Sequence, residues 1–70
     1  MDTIRVDAKG GNMEIQVFDC YDWKRELHYY EAFIVNVKEY IRRSAGTSRS
    51  KRAVINKAFD IIDTINILKA

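Results

Sequence analysis

The apolar positions of this chain change period close to Cys20. In TIRVDAK, Ile4, Val6 and Ala8 alternate with Thr3, Arg5, Asp7 and Lys9; in NMEIQVF, Met13, Ile15 and Val17 alternate with Glu14 and Gln16. Alternation of this kind sends one set of side chains to a buried face and the other to water, the signature of a half-buried strand. The GGN between the two segments accepts positive φ and suits a tight turn. Residues 3–19 are therefore expected to form a β-hairpin, with Gly10 and Gly11 at the turn.

Beyond it, Trp23, Leu27, Tyr30, Ile34, Val37 and Ile41 recur at spacings of four and three, which predicts an amphipathic helix over about 22–43. Asp19 or Asp22 would cap it. A third strand is the rival reading, because LHYYEAFIVNV is rich in β-branched and aromatic residues. As a strand, however, it would place Glu31 on one face with Leu27, Phe33 and Val35, so the helix is preferred. Arg42 and Arg43 suit the negative end of such a helix, and Gly46 would supply its left-handed C′ residue. Val54, Ala58, Ile61, Ile65 and Leu68, flanked by Ile55, Phe59 and Ile62, predict a second helix over about 49–67. The expected fold is α+β: one small ββαα domain spanning 1–70.

Composition narrows what such a domain can do. With 70 residues, a lone cysteine (Cys20) and a lone histidine (His28), the chain can form neither an internal disulfide nor a four-ligand zinc site. No cofactor or metal is expected. Small domains without such staples commonly gain burial by association, and the apolar arc of the second helix is wide, so a homodimer is expected. No apolar run approaches the ~20 residues of a membrane span, and a lone thiol without an export signal favours the cytoplasm. Catalysis is not expected, because the acids are scattered and His28 has no evident partner.

The net charge of +2 conceals a strong asymmetry. Arg42, Arg43, Arg49, Lys51 and Arg52 lie within one segment that holds no acid, while the chain before it is net acidic. Cations at a helix start oppose the helix dipole, and a bound anion would relieve that conflict. The candidate phosphate-binding residues are therefore Arg42, Arg43, Thr47, Ser48, Arg49, Ser50, Lys51 and Arg52, with nucleic acid or a nucleotide as the ligand. No GxxxxGK[ST] or GxGxxG stretch is present, and the chain is assigned to no family. The second expectation is a contact with a partner protein, as in a phage-type counter-defence inhibitor, an adaptor or a regulatory protein. It would use the cluster YDWKRELHYY through Tyr21, Lys24, Arg25, His28 and Tyr29.

Overall fold

Alternation does shape the N-terminal half, and it continues much further than the hairpin. The computed structural model describes residues 1–8 and 11–69, and the side chains of 1–6 and 13–65. Four strands, β1 (Asp2–Ala8), β2 (Gly11–Asp22), β3 (Leu27–Asn36) and β4 (Ile41–Ser48), form one antiparallel sheet in sequence order. A single helix, α1 (Lys51–Lys69), follows. The expected glycine turn at Gly10 lies outside the described residues.

Register builds one apolar face. Ile4 lies opposite Ile15, which lies opposite Ile34; Val17 lies opposite Ala32. Helix α1 covers this face with Val54, Ala58 and Ile62, spaced one turn apart, and these residues join Ile15, Val17, Ala32 and Ile34 in the buried core. Ala32 and Ala58 are fully buried, and their small side chains keep helix and sheet close. Of the wide helical arc, Ile62 is buried, and Ile55 and Ile61 pack against the core. Phe59, 36% exposed, faces solvent. The sheet beneath thus accounts for most of the arc from which a dimer is expected.

The expected ββαα fold is corrected here: the segment 22–43 forms no helix, and the fold is ββββα. Two tight turns, placed fourteen residues apart at Asp22 and Asn36, produced the helical spacing. Asp22 Oδ1 accepts the backbone N–H groups of Lys24 (3.1 Å) and Arg25 (3.3 Å). Asn36 Oδ1 accepts those of Lys38 and Glu39, both at 3.1 Å. Each turn closes with a residue at positive φ, Glu26 at 52° and Tyr40 at 56°. A fourteen-residue strand-plus-turn repeat equals two heptads, so Trp23, Tyr30 and Val37 share a heptad position without sharing a helix. The objection drawn from Glu31 fails as well. Glu31 does share a face with Leu27, Phe33 and Val35, but that face is the one α1 leaves uncovered. Asp22, expected to cap a helix, caps a turn instead.

Gly46 has positive φ, 117°, but in a β-bulge and not at a helix end. Gly46 pairs with Ala32 and Ser44 with Phe33, leaving Ala45 as the extra residue, turned toward the core. The second expected helix is present, with its start at Ser50: the Ala53 N–H donates to Ser50 Oγ at 3.3 Å, and the Val54 N–H to the Ser50 carbonyl at 3.1 Å.

The two kinds of positive-φ position give opposite expectations. Gly46→Ala should destabilise the fold by about 1 kcal/mol or more. An added Cβ there would meet nothing closer than Lys57 Cδ at 3.9 Å, so the cost is conformational and not steric. Tyr40 is 92% exposed and packs little. Tyr40→Gly should therefore stabilise by about 0.5 kcal/mol once the added freedom of the unfolded chain is counted. Chemical denaturation of both variants checks this; a loss at both sites would show that the Tyr40 ring supports the turn.

Candidate nucleic-acid interface

Strand lengths create the site. Asp2 lies opposite Val17, so β2 beyond residue 17 has no β1 partner; Ser48 lies opposite Tyr30, so β3 before residue 30 has no β4 partner. The β2–β3 hairpin thus projects past both edge strands. On the uncovered face, where this overhang meets the end of β4, lies an open depression of about 330 Å³. Asp22, Arg25, Leu27, Tyr29, Thr47 and Arg49 line it.

This depression unites residues from both sequence clusters. Thr47 and Arg49 come from the basic segment, and Arg25 and Tyr29 from the aromatic one. The remaining candidates are distributed around them. Arg42 lies opposite Val35 on the same uncovered face, at the far end of β4, on the order of 20 Å from Arg49. Arg43 lies opposite Ile34 and Ser48 opposite Tyr30, on the helix side. Ser48 Oγ accepts the Ser50 N–H at 3.2 Å, and Ser50 caps α1. Two of the hydroxyls expected to hold a phosphate, those of Ser48 and Ser50, thus already serve the helix start, while Thr47 lines the depression. Lys51 forms an ion pair with Asp2, and Arg52 is exposed on the first turn of α1. The eight basic-segment residues therefore form a strip along an edge, and they do not converge on one anion.

Tyr21 and His28 are opposite each other on the helix side of the overhang. Tyr21 packs edge-on against Trp23, with ring centroids 4.8 Å apart, and Trp23 is 83% exposed. His28 packs edge-on against Tyr30 at 5.2 Å. Lys24 and Arg25 are in the turn, where Arg25 stands 3.9 Å from the Asp22 carboxylate in a solvated pair of little energetic weight.

Phe18 and Phe33, which the sequence reading left out of the site, occupy the middle of the uncovered face in edge-to-face contact, centroids 5.5 Å apart. The Arg42 guanidinium stacks 3.9 Å above the Phe33 ring centroid and 5.3 Å from that of Phe18. The available signal was the odd-numbered run Leu27, Tyr29, Phe33 and Val35, which gives β3 a second apolar side.

Tyr29 lies opposite Cys20. Its hydroxyl is held above the ordinary phenol range by the neighbouring Cys20 thiol, then by burial, with Glu31 and Asp22 adding to the shift. Among the described residues, no three His, Cys, Asp or Glu side chains cluster as a metal site, and no helix is long and apolar enough to cross a membrane.

No protein-family model, curated protein or solved structure matches the chain. The functional reading therefore rests on the surface itself. Among the described residues, the acids within ion-pair reach of a cation are Asp2, beside Lys51, and Asp22, beside Arg25. Arg42, Arg43, Arg49 and Arg52 have none.

The Asp2–Lys51 pair gives a pH signature. Lys51, by hydrogen bond and charge, holds Asp2 below the ordinary carboxylate range; Asp2 holds Lys51 above the ordinary amine range. For Asp2 the folded value is depressed, so its contribution is present at neutrality and lost as pH falls through that value. For Lys51 the folded value is raised, so its contribution is lost only as strongly alkaline pH rises through it. Asp2→Asn should lower the melting temperature slightly near neutrality and leave it unchanged in strong acid. Both ends are about half exposed, so salt should shrink the difference. An equal deficit at both pH values would show that Asn disrupts β1 by some other route.

Proposed function

We propose that the protein is a non-enzymatic binder of nucleic acid, with β4 and the β4–α1 junction as its contact surface. One observation carries the reading: the chain's surplus positive charge lies along β4 and its junction with α1, where Arg42, Arg43, Arg49 and Arg52 are exposed and, among the described residues, without acid partners. Cations at both ends of β4, on the order of 20 Å apart, suit the spaced charges of a phosphate backbone better than a single phosphate. The first turn of α1 holds no acid, so its dipole adds to the same field.

Charged side chains on an edge strand also prevent edge-to-edge pairing, and that role needs no ligand. Salt dependence separates the two. Arg49→Glu with Arg52→Glu should abolish binding to a mixed-sequence nucleic acid while leaving the melting temperature unchanged or slightly raised, because acids suit a helix start. Lys51 is left in place because Asp2 depends on it. Single Ala replacements should each flatten the log–log salt dependence by about 0.7–0.9. Wild-type protein that shows no salt-sensitive binding by fluorescence anisotropy would reduce the strip to edge protection.

A second reading, a protein-binding inhibitor or adaptor, is favoured by the exposed Trp23 packed on Tyr21. Rigid exposed aromatics beside Lys and Arg are typical anchors of protein contacts. Capture that survives both nuclease and high salt, and is lost in Trp23→Ala, would select it.

A further inference from the structure

The uncovered sheet face has a charge order of its own. Arg5 on β1 and Arg42 on β4 occupy one register row at opposite rims, with Glu14 and Val35 between them. Arg49 continues the β4 rim into the depression. The central strands carry the rings of Phe18, Phe33 and Tyr29 and the carboxylates of Glu14 and Glu31. Cations thus stand at the edges, and rings and acids in the middle.

This order fits a single strand and not a duplex. Central carboxylates repel phosphate but accept hydrogen bonds from exocyclic amino groups of bases, as acids do with cytosine. Aromatic rings on an open surface offer stacking to unpaired bases. Rim arginines take phosphates, and Arg42, already stacked on Phe33, can lie against a base as well. A duplex would present its phosphates to the acidic middle while its bases stayed enclosed. Glu31 is fixed for such a contact, because the Ser44 hydroxyl donates to its Oε2 at 3.0 Å.

We propose that this face binds single-stranded nucleic acid with its bases turned inward onto Phe18, Tyr29 and the Arg42 guanidinium that Phe33 supports, and its phosphates on Arg49 and the outer N–H groups of Arg42. The proposal rests on the nucleic-acid reading above and names its substrate class. Fluorescence anisotropy should compare a labelled oligodeoxycytidine of about 12 nucleotides with a duplex of the same length. The single strand should bind at least tenfold more tightly. Phe33→Leu and Phe18→Leu keep apolar area on the sheet but remove the ring. Each should weaken single-strand binding about tenfold and leave duplex binding unchanged, with a small drop in melting temperature from the lost edge-to-face contact. Should one variant fail to fold, the other carries the test. Oligothymidine, which lacks an exocyclic amino group, should bind less tightly than oligodeoxycytidine, and Glu31→Gln should narrow that gap. Equal binding of single strand and duplex, or full single-strand binding by a folded leucine variant, would overturn this proposal and leave the basic strip as the nucleic-acid site. Absence of any nucleic-acid binding by the wild type would overturn both.

Discussion

The structure depends on one helix covering one face of one sheet. Val54, Ala58 and Ile62 close over Ile15, Val17, Ala32 and Ile34, and among the described residues no polar side chain is buried with them. In a chain of 70 residues such burial is small, and non-directional apolar contact must supply most of it. Losing one of the larger side chains, such as Ile15 or Ile62, would remove contact from helix and sheet at once, leaving a cavity with few neighbours to refill it. The same economy leaves the second face of the sheet uncovered. Antiparallel sheets tolerate water on one side, so an open face need not be polar for the fold to stand. Here it is only partly polar.

Opposing charges are settled locally at the helix start and left unsettled along the edge. Ser50 caps α1, Ser48 supports Ser50, and Lys51 pairs with Asp2. These contacts bring β1, β4 and α1 together at one corner. Lys57 adds another tie, donating to the Thr47 carbonyl at 2.9 Å beside the bulge. None of this uses Arg42, Arg43, Arg49 or Arg52. Strand register places Arg42 and Arg43, and Arg42 directs its charge at the Phe33 and Phe18 rings; the charges of Arg43, Arg49 and Arg52 have no acid partner among the described residues. Charge that the fold does not consume is the physical basis for assigning it to a ligand.

Much of this was legible in the sequence, and the misreading of the rest has a specific cause. The β1–β2 pairing and α1 followed from clean periodicity, and the basic segment from simple counting. The middle of the chain did not yield to periodicity, because β3 is apolar on both faces: Tyr30, Ala32 and Ile34 toward the helix, Leu27, Phe33 and Val35 away from it. A two-sided apolar strand has lost its period-2 signal, and the turns at Asp22 and Asn36 supplied a false heptad in its place. The turn chemistry was readable: Asp and Asn each precede four residues that include lysine, and such side chains organise turns as well as helix caps. The site was legible in its cations, but its aromatic centre could not be seen before the sheet was known to have an open face.

Unequal strand lengths tie fold to site. Had β1 and β4 matched β2 and β3, the sheet would end flush, and Arg25 and Tyr29 would lie beside further strand residues instead of open space. Because Ser48 is the last β4 residue in register, the chain leaves the sheet at Arg49 and turns into α1. Arg49 then faces the overhanging hairpin and not a ladder partner. The overhang costs exposed backbone edges on both sides, which a compact core would not select for. Its return is a concave corner where the turn cation Arg25, the Tyr29 ring and the edge cation Arg49 converge. The bulge at Ala45 and Gly46 lies just before that corner and shifts the register of β4 between Phe33 and Ala32. Arg42 therefore keeps its place over Phe33, while Thr47 and Arg49 keep theirs beside Tyr29. Without the extra residue, Arg42 and Thr47, five positions apart, would fall on opposite faces of the sheet. The bulge is what puts Arg42 and Thr47, at the two ends of β4, on the face that the helix leaves open.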